Sequence, residues 1–228
     1  MTDTTATQTG HEAEYEIYTA YEIDFMLGLR PTDAGATTRE QIGLRSAPPE
    51  AEDYVTAAVT AGLRARGKVE QSADGSWQLG PEGQAIAQVL TGADRWLGLA
   101  LAQGEAMRMA FFVRAADRVL LLTQDVLDSF QISAVLEPEH IAQTAASLSS
   151  AFLEGEHGRT VSLRRTDVSD PSTTTPVMFH VEDDGSWKVA HLPLDENDVL
   201  SVSPVREDQV SAVIGRLWED GVSEPPAA

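Results

Sequence analysis

The fold is decided by the segment from Arg95 to Gln124, which reads RWLGLALAQGEAMRMAFFVRAADRVLLLTQ. Before this segment apolar residues recur at helical spacing. Within it they alternate with small or polar residues, or form short apolar blocks, as they do in strands. Turn-forming residues at Gln103-Gly104 and at 115–118 divide the segment. We therefore predict strands at about 95–102, 106–114, 118–124 and, just beyond, 129–135.

The same order of elements occurs twice from this point on. A helix is predicted at about 138–152, followed by strands at 160–167, 176–182, 186–192 and 199–203 and a helix at 206–219. The expected inward residues of the two helices correspond at a constant offset, Ile141 with Val210, Ala145 with Ile214 and Leu148 with Leu217. The pattern predicts an α+β fold in which two quasi-repeated ββββα units, 95–153 and 154–219, adopt a pseudo-twofold arrangement.

The region from 14 to 94 is predicted to be mainly helical. Thr19 and Glu22 have the spacing of a capping box at the start of a short helix that stops at Pro31. A loop at 32–49, a helix at about 50–66, a hairpin at 68–79 and a helix at 81–91 are expected to follow. Residues 1–13 and 220–228 are predicted to be disordered tails.

Composition limits the classes of partner. Asp and Glu number 36 against 16 Lys and Arg, so the formal charge is −20. Such a surface repels phosphate backbones and anionic lipid, which argues against general nucleic-acid and membrane binding. No apolar run has membrane-spanning length, and the polar N-terminus has no secretory-signal pattern. We expect a cytoplasmic protein.

The sequence has no pattern typical of catalysis. It lacks cysteine, a GxxxxGK[ST] phosphate loop, a GxGxxG turn, a GxSxG elbow and an HExxH zinc helix. His180 and His191 are expected to face each other across the second hairpin as a cross-strand pair. We therefore predict no catalytic, cofactor-binding or metal-binding residues, and no enzymatic activity. An enzyme whose site is assembled from scattered residues stays open as an alternative.

Residues 61–90, AGLRARGKVEQSADGSWQLGPEGQAIAQVL, have the pattern of a winged helix. They are similar to the end of a recognition helix, a wing hairpin and the helix that follows. Reading DNA requires basic and amide side chains on the helix and wing. Here Arg64, Arg66 and Lys68 lie among acids, so we predict winged-helix-like geometry without a DNA role. A winged-helix-derived regulator stays open as an alternative.

Sheet faces supply the positive indication of a binding surface. In strand 106–114, alternation places Met107, Met109, Phe111 and Val113 on one side and Arg108, Ala110, Phe112 and Arg114 on the other. Phe112 would then stand among arginines, and Met178 would share a face with polar residues. A large apolar residue on a polar face is typical of a protein-contact anchor, or else packs beneath a neighbouring element. The predicted partner-binding residues are Arg108, Phe112, Arg114 and Met178.

Several segments resemble the EspG family, the cytosolic chaperones of actinobacterial type VII (ESX) secretion. TAYEIDFMLGL at 19–29 looks like the opening Thr-x-x-Glu helix of that family, and VTAGLRARGKVEQ at 59–71 is similar to its L-x-x-R-G-L-V segment. Residues 79–103 resemble the helix and first strand that follow. VRAADRVLLLTQD at 113–125, with the helix at Pro138, looks like a later block of the family.

The resemblance implies a chaperone or adaptor that binds helical-hairpin substrates of the PE/PPE kind and has no catalytic residues to carry over. The quasi-twofold fold of the family also agrees with the predicted repeat. A self-associating structural module is a further alternative, because exposed strand edges can pair across a twofold axis in a homodimer.

Overall fold

The computed structural model describes residues 15–125, 127–135, 138–154 and 158–226. The N-terminal region comprises β1 (Tyr15–Thr19), α1 (Ala20–Gly28), α2 (Asp33–Gln41), α3 (Glu52–Ala65), β2 (Val69–Gln71), β3 (Trp77–Leu79) and α4 (Pro81–Thr91). The segment predicted as the first unit comprises β4 (Arg95–Gln103), β5 (Ala106–Ala115), β6 (Arg118–Gln124), β7 (Ser129–Ala134) and α5 (Ile141–Leu153). The second comprises β8 (Arg159–Asp167), β9 (Asp170–Val181), β10 (Trp187–Leu194), β11 (Leu200–Val205) and α6 (Val210–Asp220). The chain is therefore mixed α and β, as predicted.

A nine-stranded antiparallel sheet has the order β1-β7-β6-β5-β4-β8-β9-β10-β11. The first strands of the two units, β4 and β8, lie side by side at its centre with Leu99 opposite Leu163. The later strands of each unit continue outward in chain order. The pseudo-twofold arrangement of two ββββα units stays a prediction.

Helices cover both faces of the sheet, but unequally. On one face, α4 packs against β5 and β6 and α2 packs against β4, enclosing a core that includes Trp96, Phe111 and Phe130. On the opposite face, α5 and α6 pack on each other and enclose Phe112, Phe179 and the central leucines. The N-terminal helices reach only the half of their face that is near β1.

Two elements were missing from the sequence-based prediction. β1 pairs with β7, and α2 occupies part of the expected loop at 32–49. In α2 the hydroxyl of Thr32 caps the helix by accepting from the Gly35 amide at 2.9 Å. α2 is polar, with little apolar periodicity, so its pattern gave no helical signal. The capping box of Thr19 and Glu22 is present as predicted.

The chain after α6 also differs from the prediction. The tail expected from residue 220 onward is instead anchored through residue 224. The Ser223 hydroxyl accepts from the Leu192 amide at 2.9 Å, and Arg216 donates to the Glu224 carbonyl at 2.9 Å. The predicted N-terminal tail, 1–13, lies outside the described residues. In α5, Leu148 is 39% exposed, not inward, and Ser149 is buried in its place.

Candidate protein-binding surface

Part of the sheet face that carries the N-terminal helices remains uncovered. Directly paired residues of neighbouring strands lie on the same face of a sheet. One such row crosses six strands, and its members are Met109, Ala100, Ser162, Met178, Ala190 and Val202. Met178 is 39% and Val202 66% exposed. The centre and the β11 side of this face are therefore open.

The open region contains a depression that we call the methionine trough. Its floor consists of small residues, with Gly98, Ala100 and Ala102 on β4 and Ser162 on β8. Met107, Met109 and Phe111 on β5 form one wall, and Thr174 and Met178 on β9 form the other. Glu40 and Gln41, at the end of α2, close one end. The trough encloses about 610 Å³.

Methionine is concentrated at this site. Three of the five methionines in the chain, Met107, Met109 and Met178, line the trough, and Met107 is 63% exposed. The unbranched thioether adapts to irregular apolar partners, and methionine is frequent on surfaces that bind varied sequences. A small floor between methionine walls thus forms an apolar recess of adjustable shape.

The polar side chains around the trough differ in whether they have hydrogen-bond or ion-pair partners within the protein. The Gln41 side chain is fixed by the Thr166 hydroxyl, which donates to it at 3.1 Å. His180, one row further along β9, has its Nε2 3.9 Å from a Glu182 carboxylate oxygen. Arg164 lines the trough, is exposed, and makes no ion pair among the residues that the structure describes. Arg164 therefore remains available to a ligand.

The structure separates the four predicted partner-binding residues. Met178 lies in the trough, whereas Arg108, Phe112 and Arg114 lie on the opposite face. Phe112 is fully buried in the core beneath α5 and α6, so the expectation that it is exposed among arginines is wrong. Arg114 is paired with Asp94 at 2.7 Å and stacks 5.5 Å from the ring centre of Trp218 on α6. Alternation alone does not reveal which face helices will cover.

The trough has a sequence signal that the prediction did not use. Gly98, Ala100 and Ala102 place small residues at every second position of β4, and the methionines of β5 alternate in the same way. A line of small residues in a central strand indicates a recess on that face, since nothing large rises from it. Which partner fills the recess depends on tertiary packing.

The two histidines of the second hairpin do not face each other. His180 lies opposite Lys188, and His191 lies opposite Val177, so the two rings are on different faces. His191 is buried, with Nε2 2.9 Å from the Ser203 hydroxyl. Within the described part of the chain no group of three or more His, Asp or Glu side chains has the arrangement of a metal site.

Two cations of the winged-helix-like region, Arg66 and Lys68, form ion pairs within the protein. The buried Lys68 ammonium lies 2.6 Å from a Glu16 oxygen and 2.9 Å from a Glu82 oxygen, and Arg66 pairs with Glu22. Burial opposes charge on Lys68, but these carboxylates outweigh it and raise its pKa. Burial opposes ionisation of Glu16, but the Lys68 ammonium and the hydrogen bond from the Tyr18 hydroxyl outweigh it and lower the pKa of Glu16. Cations held in this way are poorly placed to contact phosphates.

No protein-family profile and no curated protein sequence matches the chain. Among solved structures, the chain is similar to the Mycobacterium tuberculosis type VII secretion system chaperone EspG5, determined in complex with a PE25–PPE41 dimer. The TM-score is 0.48 and the identity 9%, over 94% of this chain and 99% of that chain. Likeness at this level establishes neither family nor function. No helix among the described residues is both long and apolar enough to cross a membrane.

Proposed function

We propose that this protein acts without catalysis, as a chaperone or adaptor that holds a protein client in the methionine trough. One observation carries the proposal: a recess walled by methionines remains open on the sheet face that the N-terminal helices cover only in part. Exposed apolar patches of this kind are typical of protein-contact sites. Full burial of an exposed methionine side chain contributes about 1.5–3 kcal/mol. Met107 and Met178 are 63% and 39% exposed, so each contributes only part of that on binding a partner.

The client class follows from the sequence resemblance. The segments at 19–29, 59–71 and 113–125 resemble the EspG family, which implies helical-hairpin substrates of the PE/PPE kind and a cytosolic role in type VII secretion. Covering the apolar tip of such a client would keep it from aggregating before export. The trough supports this client class because it is apolar, adaptable and open at its end near the β4–β5 turn.

The test uses helical-hairpin protein pairs that are encoded in the same genome as this chain. The two members of each pair are co-expressed and purified together, and calorimetry measures the affinity of the pair for this chain. Met178→Asp places a charge in the trough and should weaken binding about tenfold or more. Ala100→Phe fills the floor and should do the same while leaving the unfolding midpoint close to that of the parent.

Matched controls lie outside the trough. Leu148 on α5 has the same 39% exposed fraction as Met178, so Leu148→Asp introduces the same charge elsewhere. Ala57→Phe, on the exposed side of α3, adds the same aromatic ring as Ala100→Phe but outside the trough. Both should bind as the parent does. Equal binding by all four variants would show that the trough is not the client site, and failure of every pair to bind the parent would refute the client class.

A further inference from the structure

The shape and charge of the methionine trough restrict what can enter it. We infer that its occupant is one α-helix of the partner, with a carboxylate that pairs with Arg164. This inference rests on the proposed function and adds to it the secondary structure and the charge of the docking segment.

The width of the trough selects a single helix. Its walls, β5 and β9, are three strand spacings apart, which is about 14 Å. A helix with its side chains is about 10–12 Å across, whereas two packed helices add another 8–10 Å between their axes. An extended peptide would pair with a sheet edge, not with the middle of a face. The 14 Å is measured between the strand backbones and includes the wall side chains, so the trough receives the contact face of one helix and not that of a packed pair.

The length of the trough sets the contact pattern. From Gly98 to Ala102 the floor spans about 14 Å, the rise of roughly nine helical residues. A helix lying along it can place side chains at i, i+3 or i+4, and i+7 over the small floor. Those positions must be apolar or small, because Met107, Met109 and Met178 flank them.

Charge adds one polar requirement. Arg164 is next to Gly98 in the register and rises at the end of the trough that α2 closes. Glu40 lines the same end without forming an ion pair with Arg164. His180 and Lys188 lie in the row at the opposite end of the same face, where Glu182 approaches His180, so Arg164 is the basic side chain at the end that α2 closes. Among the residues that the structure describes, Arg164 has no ion-pair partner, and a carboxylate on the docking helix complements it.

The inference is tested with three stapled, end-blocked helical peptides of about 18 residues, long enough to stay helical once stapled. All share one leucine ridge, and each carries Glu, Gln or Lys at both ends of that ridge. Fluorescence anisotropy measures their affinity for the full chain. The Glu peptide should bind about fivefold more tightly than the Gln peptide, the upper range for an exposed ion pair, and the Lys peptide most weakly.

Variants of the chain then test whether Arg164 causes the preference for the Glu peptide. Arg164→Gln should remove the difference between the Glu and Gln peptides, and Arg164→Glu should make the Lys peptide the tightest. Arg108→Glu makes the same charge change on an exposed arginine of the opposite face and should leave the order unchanged. Circular dichroism verifies that each variant is folded.

The outcomes separate this inference from the proposed function. If Met178→Asp abolishes client and peptide binding but the Arg164 variants keep the parental order, the trough is the site and the carboxylate is wrong. If whole clients bind and none of the peptides does, a single helix is insufficient and the inference fails alone. If Met178→Asp changes nothing for client or peptide, both fail.

Discussion

Phe111 and Phe112 are neighbours in β5, yet their side chains lie on opposite faces of the sheet. Phe111 closes the core beneath the N-terminal helices and borders the methionine trough, whereas Phe112 is in the core beneath α5 and α6. The side chains of adjacent strand residues point to opposite faces, so both aromatic rings are buried only because helices cover both faces at this point. Phe112 is therefore a stability residue and not a contact residue.

We expect Phe112→Ala to lower the free energy of unfolding by about 3–5 kcal/mol, because it leaves a cavity in a closed core. Urea titration followed by tryptophan fluorescence measures the change. Client binding by the fraction that remains folded should equal that of the parent. A stable Phe112→Ala variant with weakened client binding would restore Phe112 to the contact surface.

At the scale of elements, α2 and α6 are held by side chains that reach their ends. The Thr32 hydroxyl accepts from the Gly35 amide and donates to the Thr91 carbonyl at 2.7 Å, joining the start of α2 to the end of α4. Because α2 closes one end of the trough, this cap also positions Glu40 and Gln41. A single hydroxyl thereby links local helix formation to the shape of the site.

Thr32→Ala should cost about 1–2 kcal/mol of stability through loss of this cap. Thr37, in the same helix, donates only to the Asp33 carbonyl one turn earlier, so Thr37→Ala is the matched control and should be close to neutral. Urea midpoints of the two variants and the parent provide the comparison. Equal midpoints for both variants would mean that the Thr32 cap does not stabilise the fold.

The C-terminal end of α6 is held by two arginines that Asp167 orients. Arg165 donates to the Leu217 and Trp218 carbonyls at 2.8 and 2.9 Å, which complements the negative end of the helix. Asp167 accepts from Arg95 at 2.8 Å and from Arg165 at 2.7 Å. Burial opposes ionisation of Asp167, but these two guanidinium groups outweigh it and lower its pKa below 3.8.

A lowered carboxyl pKa contributes stability above pH 3.8, and that stability is lost as the pH falls through the lower folded-state value. Asp167→Asn should therefore be less stable than the parent at pH 7, and the gap should shrink below about pH 4. Urea unfolding between pH 7 and 3 measures it. Asp183→Asn, in an exposed turn, is the control and should follow the parent; a constant gap for Asp167→Asn would contradict the linkage.

For the whole molecule, each edge strand of the sheet carries one feature that opposes further pairing. At β1 the Ile17 carbonyl accepts from Arg66 at 2.9 Å, so one edge acceptor is already occupied. At β11, Pro204 has no amide hydrogen, and proline in a sheet is confined to edges where it ends pairing. The remaining surface is strongly acidic and repels a second copy. These features disfavour a dimer formed through strand edges.

We accordingly expect a monomer in sedimentation velocity at physiological salt and at about 0.5 M salt, where charge repulsion is screened. A dimer that persists at both salt concentrations would favour the self-associating alternative over a client-binding protein. A dimer that appears only with Pro204→Val, which adds an edge donor, would show directly that the edges are protected.

The sequence by itself determined the elements and their order. The capping box at Thr19, the hairpins at Asp74-Gly75 and Asp184-Gly185, and the two runs of four strands and a helix depend on spacing and turn chemistry within a few residues. Such local preferences depend on side chains that are close together in the sequence. The sequence-based prediction did not include β1 and α2, because β1 is defined by pairing with β7 and α2 by contacts with α4.

Only the tertiary structure decided which faces are covered, and with that the site. Alternation in β5 correctly placed Met107, Met109 and Phe111 on one side, but not which side the helices would leave open. Phe112 and Met178 look equally suited to contact a partner in the sequence. Helices α5 and α6 bury the first, and the short reach of the N-terminal helices leaves the second exposed. Exposure is a property of packing between distant segments, so it cannot be read from a strand alone.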